Sequence, residues 1–226
     1  MLQSLASTSL IRNSLLLEVE DLFFSYQYRP ILKKLSFKVG EGQILKIEGA
    51  NGTGKTTLIK VIAGLLRPQK GSITFTSGNH TYTDYRPFLE YLPSEGNGLF
   101  AELDAVKNLN FWARLRNQDH NHDEIMKQLR HWDLDQPFLM ENFPVGRFST
   151  GMKRRLALAR VILSKAPLWL LDEPLFGLDS QSTEKFRQCL QSHINEGGCV
   201  IMVSHDLTAF ENLDISVLSI PPVGRA

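Results

Sequence analysis

Gly49-Ala50-Asn51-Gly52-Thr53-Gly54-Lys55-Thr56 is the stretch that decides how this chain folds. A glycine, four residues and then Gly-Lys-Thr is the spacing of a phosphate-binding loop. The flanks agree with it. Residues 43–48 form a short β-rich run, and residues 57–66 carry a helical periodicity that stops before Pro68 and Gly71. Glycines let the backbone curl until several N–H groups face phosphate oxygens. The helix that begins there adds the positive end of its dipole. Lys55 is placed to reach the β- and γ-phosphates, and the Thr56 hydroxyl to ligate Mg²⁺. A glycine turn that only caps a helix is the plain alternative, and it leaves Lys55-Thr56 unexplained.

Further along, Leu168-Trp169-Leu170-Leu171-Asp172-Glu173-Pro174 is an apolar run that ends in two acids. A strand buried on both faces does not end in paired carboxylates without cause, because desolvating charge is costly. Asp172 fits the residue that holds a metal's water shell beside the phosphates. Glu173 fits the group that orients an attacking water. A third segment, Phe148-Ser149-Thr150-Gly151-Met152-Lys153-Arg154-Arg155, opens a strongly helical stretch over residues 150–163. Ser149 is a natural N-cap there, and Gly151 lets an anion approach the backbone. Lys153, Arg154 and Arg155 read as a solvated helix face.

The rest of the chain supplies the scaffold. Residues 15–19, 31–39 and 72–76 read as strands, the early ones antiparallel. Residues 168–171 and 200–203 read as buried strands, and residues 183–194 as a helix. Glycine and proline are absent between Asp104 and Gln136, which predicts a helical insert over about 96–147. Buried runs alternating with helices imply a parallel sheet covered on both faces. The expected fold is therefore α/β. It has a P-loop core with a parallel sheet, an N-terminal antiparallel β subdomain and an inserted helical subdomain, in one domain over 15–226.

Composition sets the outer limits. The 226 residues are 42% hydrophobic with a net charge of +1, which argues against disorder and demands no basic nucleic-acid-binding face. Cys189 and Cys199 fit no zinc or redox motif, and a reducing compartment is expected. No apolar run approaches the roughly 20 residues that cross a bilayer, so a membrane role needs another chain to span it. Residues 1–14 are Ser-rich with Arg12 as the one charge, and read as a frayed extension rather than a secretory signal.

The order of these segments, joined by Leu178-Asp179 and Val203-Ser204-His205, resembles the ATP-binding cassette of ABC proteins over about residues 15–220. The resemblance implies two cassettes meeting head to tail, with two ATP molecules and their Mg²⁺ at the joint. It also implies a separate integral membrane permease, driven from the cytoplasmic face of the membrane. Gly49, Asn51, Gly52, Gly54, Lys55, Thr56 and Thr57 look like the Walker A loop. Asp172 and Glu173 look like Walker B and the catalytic glutamate. Ser149 and Gly151 look like the signature motif, which closes over the ATP held by the partner. Asp179 looks like the D-loop aspartate, and His205 like the switch histidine on the γ-phosphate. Tyr26 sits where the family places an aromatic on adenine, though a tyrosine packed between strands is the plain alternative.

Two departures matter. The family usually carries a glutamine in the loop that enters the insert, and Tyr91-Leu92-Pro93-Ser94-Glu95-Gly96-Asn97 offers Ser94 or Glu95 there. Glu95 is the preferred reading, since a carboxylate can ligate Mg²⁺ or its water. The signature has Phe148, Thr150 and Met152 for the usual leucine, glycine and glutamine. Ser149 and Gly151 remain, so an active ATPase is expected. Leu99, Phe100 and Phe111 are the expected contact with the membrane partner. Residues 151–156 look like exporter cassettes, and residues 46–52 resemble the haem-exporter cassette of cytochrome c maturation. A soluble ABC ATPase of an assembly system without transport is the competing reading.

Overall fold

Period-two burial builds the first sheet of the computed structural model, which describes residues 15–118, 120–140, 142–205, 210 and 213–221. The expected extension over residues 1–14 lies outside them. β1 (Leu15–Tyr26) buries Leu15, Leu17 and Val19 and turns the residues between them outward. β2 (Arg29–Gly40) pairs with it antiparallel, with register shifts after Val19 and Leu22. Both strands outrun the expected bounds, because Asp21 and Lys34 take positive φ angles of 46° and 49° and absorb those shifts as bulges.

The second sheet holds the site. β3 (Ile44–Glu48) leads into the glycine loop and α1 (Lys55–Ile62). β4 (Lys70–Ser77) and β5 (His80–Tyr82) return to the first sheet, whose order is β2-β1-β4-β5. β6 (Leu89–Leu92) belongs to the second sheet, of order β6-β7-β8-β3-β9, and every pairing in it is parallel. Three helices follow β6 as the insert: α2 (Ala105–Leu115), α3 (His122–His131) and the short α4 (Pro137–Met140). α5 (Thr150–Leu163), β7 (Leu168–Asp172), α6 (Ser180–Asn195), β8 (Cys199–Val203) and β9 (Ile215–Ser219) complete the order.

β7 and β8 are buried at every residue because both faces of the sheet are covered. Leu170, Ile201 and Ile47 pack with Leu58 and Ile59 of α1 and with the antiparallel sheet. Leu171, Met202 and Ile44 pack with α5, α6 and the insert on the opposite face. Among the described residues no helix is long and apolar enough to cross a membrane.

Some boundaries differ from expectation. α1 ends at Ile62, not Leu66, because Gly64 at φ 73° lets the Leu65 N–H reach the Lys60 carbonyl at 2.9 Å. That is a Schellman stop. The insert is interrupted between α2 and α3, and α3 restarts on a capping box formed by Asn121 and Glu124. β6 was not expected, since Glu90 interrupts its apolar run. Glu90 is nevertheless buried, because Arg160 pairs with its Oε1 at 2.5 Å and Arg116 with its Oε2.

Leu158 is fully buried on α5 and touches none of the expected site residues through a hydrogen bond. Leu158→Ala is expected to cost about 2–5 kcal/mol of stability, read as a lower urea midpoint at unchanged m-value.

Candidate active site

The glycine loop leaves the carboxyl end of β3 in a path that excludes side chains. A Cβ on Gly49 would lie 2.6 Å from Thr53 Oγ1 and 2.8 Å from the Ile220 carbonyl oxygen. One on Gly54 would lie 2.5 Å from Ile31 Cγ2. Gly49, Gly52 and Gly54 all have positive φ. α1 then begins with no side-chain cap and no acid in its first turn. Its leading N–H groups are thus left to an anion from outside the helix. Lys55 is buried, and its Nζ donates to the Gly49 and Ala50 carbonyls at 2.8 and 3.1 Å. Thr56 and Thr57 are half-buried beside it, while Asn51 and Gly52 are exposed on the rim.

Two strands away, β7 ends in Asp172, which is 1% exposed. Its Oδ2 is buried and makes no hydrogen bond among the described residues. A buried carboxylate oxygen left so is costly, and a hard cation or its water satisfies it. Glu173 follows at φ 50°, a left-handed conformation uncommon outside glycine. Its N–H donates to the Val203 carbonyl at 2.8 Å, so β8 holds the turn. Its Oε2 accepts from the His205 N–H at 3.3 Å, and its Oε1 lies 3.4 Å from His205 Nε2. The structure therefore brings Glu173 and His205 into contact, with Asp172 one residue away on the same strand end.

Ser149 and Asp179 form a second group. Ser149 Oγ accepts from the Met152 N–H at 3.2 Å and caps α5. Asp179 caps α6 by accepting from the Ser182 N–H at 2.7 Å, and the Ser182 hydrogen bonds hold its carboxyl below the usual range. Gly151 gains a packing reason beside the expected one, since a Cβ there would lie 2.8 Å from the Gly177 carbonyl oxygen. The loop between β7 and α6 thus runs against the first turn of α5. Tyr26 is 47% exposed and sits edge-on to Phe24 at 4.9 Å. Its hairpin borders the glycine loop through Ile31, the residue facing Gly54. Glu95 is exposed, and its neighbour Ser94 is the half-buried one.

The basic run departs from the expected solvated face at two residues, and Arg155 is half-buried with its Nη1 donating to the Trp132 carbonyl at 3.0 Å. Arg154 does not lie on a solvated face: it is 1% exposed. Its guanidinium donates to the Pro93, Asp172, Glu173 and Pro174 carbonyls and to Asn97 Oδ1. Burial pulls its pKa down to about 10. Helical phase carried the signal, because Ala157, Leu158 and Val161, three, four and seven residues on, are all fully buried.

A glycine loop at the end of an interior strand of the parallel sheet, with paired acids at the end of another strand two places away, defines a P-loop nucleotide hydrolase. The profile of the ABC transporter family matches residues 32–176. The chain is 37% identical over 192 residues to the cytochrome c biogenesis ATP-binding export protein CcmA of Vibrio cholerae serotype O1, covering 84% of this chain and 91% of that protein. The solved ATP-binding subunit of an ABC transporter superposes with a TM-score of 0.76 at 28% identity, covering 91% of this chain and 88% of that one. A dimeric ATP-binding cassette holding ADP and phosphate shares the fold, with a TM-score of 0.75 at 22% identity over 90% of this chain and 96% of that one. This chain belongs to the ABC transporter family, as an ATP-binding subunit with ATPase activity.

The Gly151–Gly177 approach gives a direct test. Gly151→Ala is expected to lower ATP turnover by about tenfold or more, while ATP affinity at the untouched glycine loop stays within about threefold. Phosphate release and calorimetric titration measure the two.

Proposed function

We propose that this chain is the motor subunit of an exporter of the cytochrome c biogenesis type, working as a pair at the cytoplasmic face of a membrane beneath a separate permease. The observation that carries the ATPase part is the Glu173–His205 contact at the strand ends beside the glycine loop. The export part rests on likeness to a protein named as an export protein, which favours transport over a soluble assembly ATPase.

In this reading Gly49, Asn51, Gly52 and Gly54 cradle the phosphates with backbone N–H groups, joined by Thr56 and Thr57 at the start of α1. Lys55 exchanges its carbonyl partners for phosphate oxygens. Tyr26 offers its exposed ring to the base. Glu173 takes a proton from, or orients, the attacking water, and His205 contacts the γ-phosphate. Ser149 and Gly151 of one copy close over the ATP of the other, and Asp179 links the two sites. Thr56, Asp172 and Glu95 are oxygen donors suited to Mg²⁺, and the orphaned Asp172 Oδ2 fits that role. Held there, Mg²⁺ would supply positive charge to offset that of the β- and γ-phosphates.

The γ-phosphate then supplies the contact that distinguishes a closed pair from an open one, and its loss lets the pair open. The permease is proposed to dock on the insert where Phe100 and Phe111 meet edge-to-face at 4.5 Å and stay 38% and 40% exposed, beside Leu99.

The test is Glu173→Gln. It should bind ATP as the parent does, lose turnover by a factor of about a hundred or more, and elute as a dimer with ATP and Mg²⁺. Full turnover would remove Glu173 from its role, and a strictly monomeric species in ATP would remove the sandwich.

A further inference from the structure

We propose that Arg154 is a positioning residue for hydrolysis, joining the helix led by Ser149 to the turn that carries Glu173 and the loop that carries Glu95. The proposal rests on the roles given above to Ser149, Glu173 and Glu95.

Arginine has five N–H donors in a planar fork, and here all of them are used. Nη1 donates to the Pro93 carbonyl at 2.8 Å and to Asn97 Oδ1 at 2.7 Å. Nη2 donates to the Asp172 carbonyl at 2.8 Å and to the Glu173 carbonyl, and Nε donates to the Pro174 carbonyl at 3.2 Å. Four acceptors are backbone carbonyls and the fifth is an amide oxygen. Arg160, the other buried arginine of α5, instead pairs with the carboxylate of Glu90. Arg154 therefore makes its direct bonds to backbone and an amide, and meets the Asp172 and Glu173 carboxylates only through space.

The arrangement is specific in what it fixes. The Asp172 and Glu173 carbonyls flank the Glu173 Cα, so one nitrogen holds the peptide planes on both sides of it. Those planes set the direction in which the Glu173 side chain leaves the chain. They also hold the left-handed backbone at φ 50°, which an ordinary strand end does not adopt. The Nη1 side holds residues 93–97 in the same grip. A buried guanidinium is costly to desolvate, and an apolar side chain of similar volume would pack this face of α5 at lower cost. Its presence is explained if the two loops must move with α5. Arg154 lies five residues beyond Ser149, about 7.5 Å along one rigid helix. A phosphate gripped at the head of α5 by one copy thereby bears on the hydrolytic end of β7 in that same copy.

The test uses the full chain with Arg154→Lys, Arg154→Gln and Asn97→Gly. Leu158→Ala serves as a destabilised control on the same helix. A lysine has three donors on one atom and cannot bridge both loops. At a temperature where all are folded, Arg154→Lys and Arg154→Gln are expected to lower kcat by about tenfold or more, with ATP affinity within about threefold of the parent. Leu158→Ala is expected to keep kcat within about threefold. Asn97→Gly removes one of the two Nη1 bonds to that loop and leaves the one to the Pro93 carbonyl, at a φ of 50° that glycine accepts. It should lower kcat by about threefold with a thermal midpoint near the parent's.

Parental kcat in the Arg154 variants overturns the proposal. So does a loss no larger than that of Leu158→Ala. If the Arg154 variants do not fold, Asn97→Gly decides, and an unaltered kcat there overturns it. Glu173→Gln, run alongside, separates the two levels. Turnover retained in that variant defeats the catalytic assignment itself, whereas its loss beside normal Arg154→Lys turnover defeats only the positioning role.

Discussion

Parallel strands all leave a sheet in the same direction, and the chemistry of this chain depends on that. β7 runs beside β8 with Asp172 opposite Val203, and β8 beside β3 with Met202 opposite Lys46. The register brings three loops out along one edge. The glycine loop leaves β3, Asp172 and Glu173 leave β7, and His205 leaves β8. A slip of one residue in β7 would turn Asp172 to the other face of the sheet and break the Glu173 N–H bond to Val203. The continuous burial of β7 and β8 is what makes that register firm, since each face is specified by its own core.

Much of this was legible because it is local. The glycine loop depends on residues adjacent in sequence, and its steric demands at Gly49 and Gly54 are those the spacing implied. α5 was read at its observed bounds, because a serine cap and a strong periodicity mark both its start and its face. The failures have a common cause, which is partners distant in sequence. Glu90 made β6 look unlike a strand, and only Arg160 and Arg116, from α5 and α2, make its burial tolerable. Arg154 was read as solvated from the charge of its neighbours. Its acceptors, Pro93, Asn97, Asp172, Glu173 and Pro174, come from the loop after β6 and from the end of β7 with the turn that follows it. At the loop entering the insert the sequence offers Ser94 or Glu95, and in the fold Glu95 is exposed and Ser94 half-buried.

The two helix starts divide the work. α1 begins without a side-chain cap, whereas α5 begins with a serine that serves its own helix. Gly151 lies against Gly177, so the second start is packed on the loop that follows the acids. In the proposed assembly that contact and the Arg154 grip are two routes by which events at one nucleotide reach the other. The insert, with its exposed Phe100 and Phe111, would carry the same motion toward a permease.

The sandwich itself is best tested by crosslinking. Asn51 on the glycine loop and Thr150 at the start of α5 are both exposed. One copy would carry Asn51→Cys and a second, separately tagged copy Thr150→Cys. Burial pushes the native Cys189 and Cys199 thiols up to about 11 and about 12, so they compete little near neutral pH. A disulfide joining the Asn51→Cys copy to the Thr150→Cys copy is expected when ATP is present under conditions that block hydrolysis, and little without nucleotide. No bond between the copies in ATP, with each variant still binding the nucleotide, would contradict the sandwich.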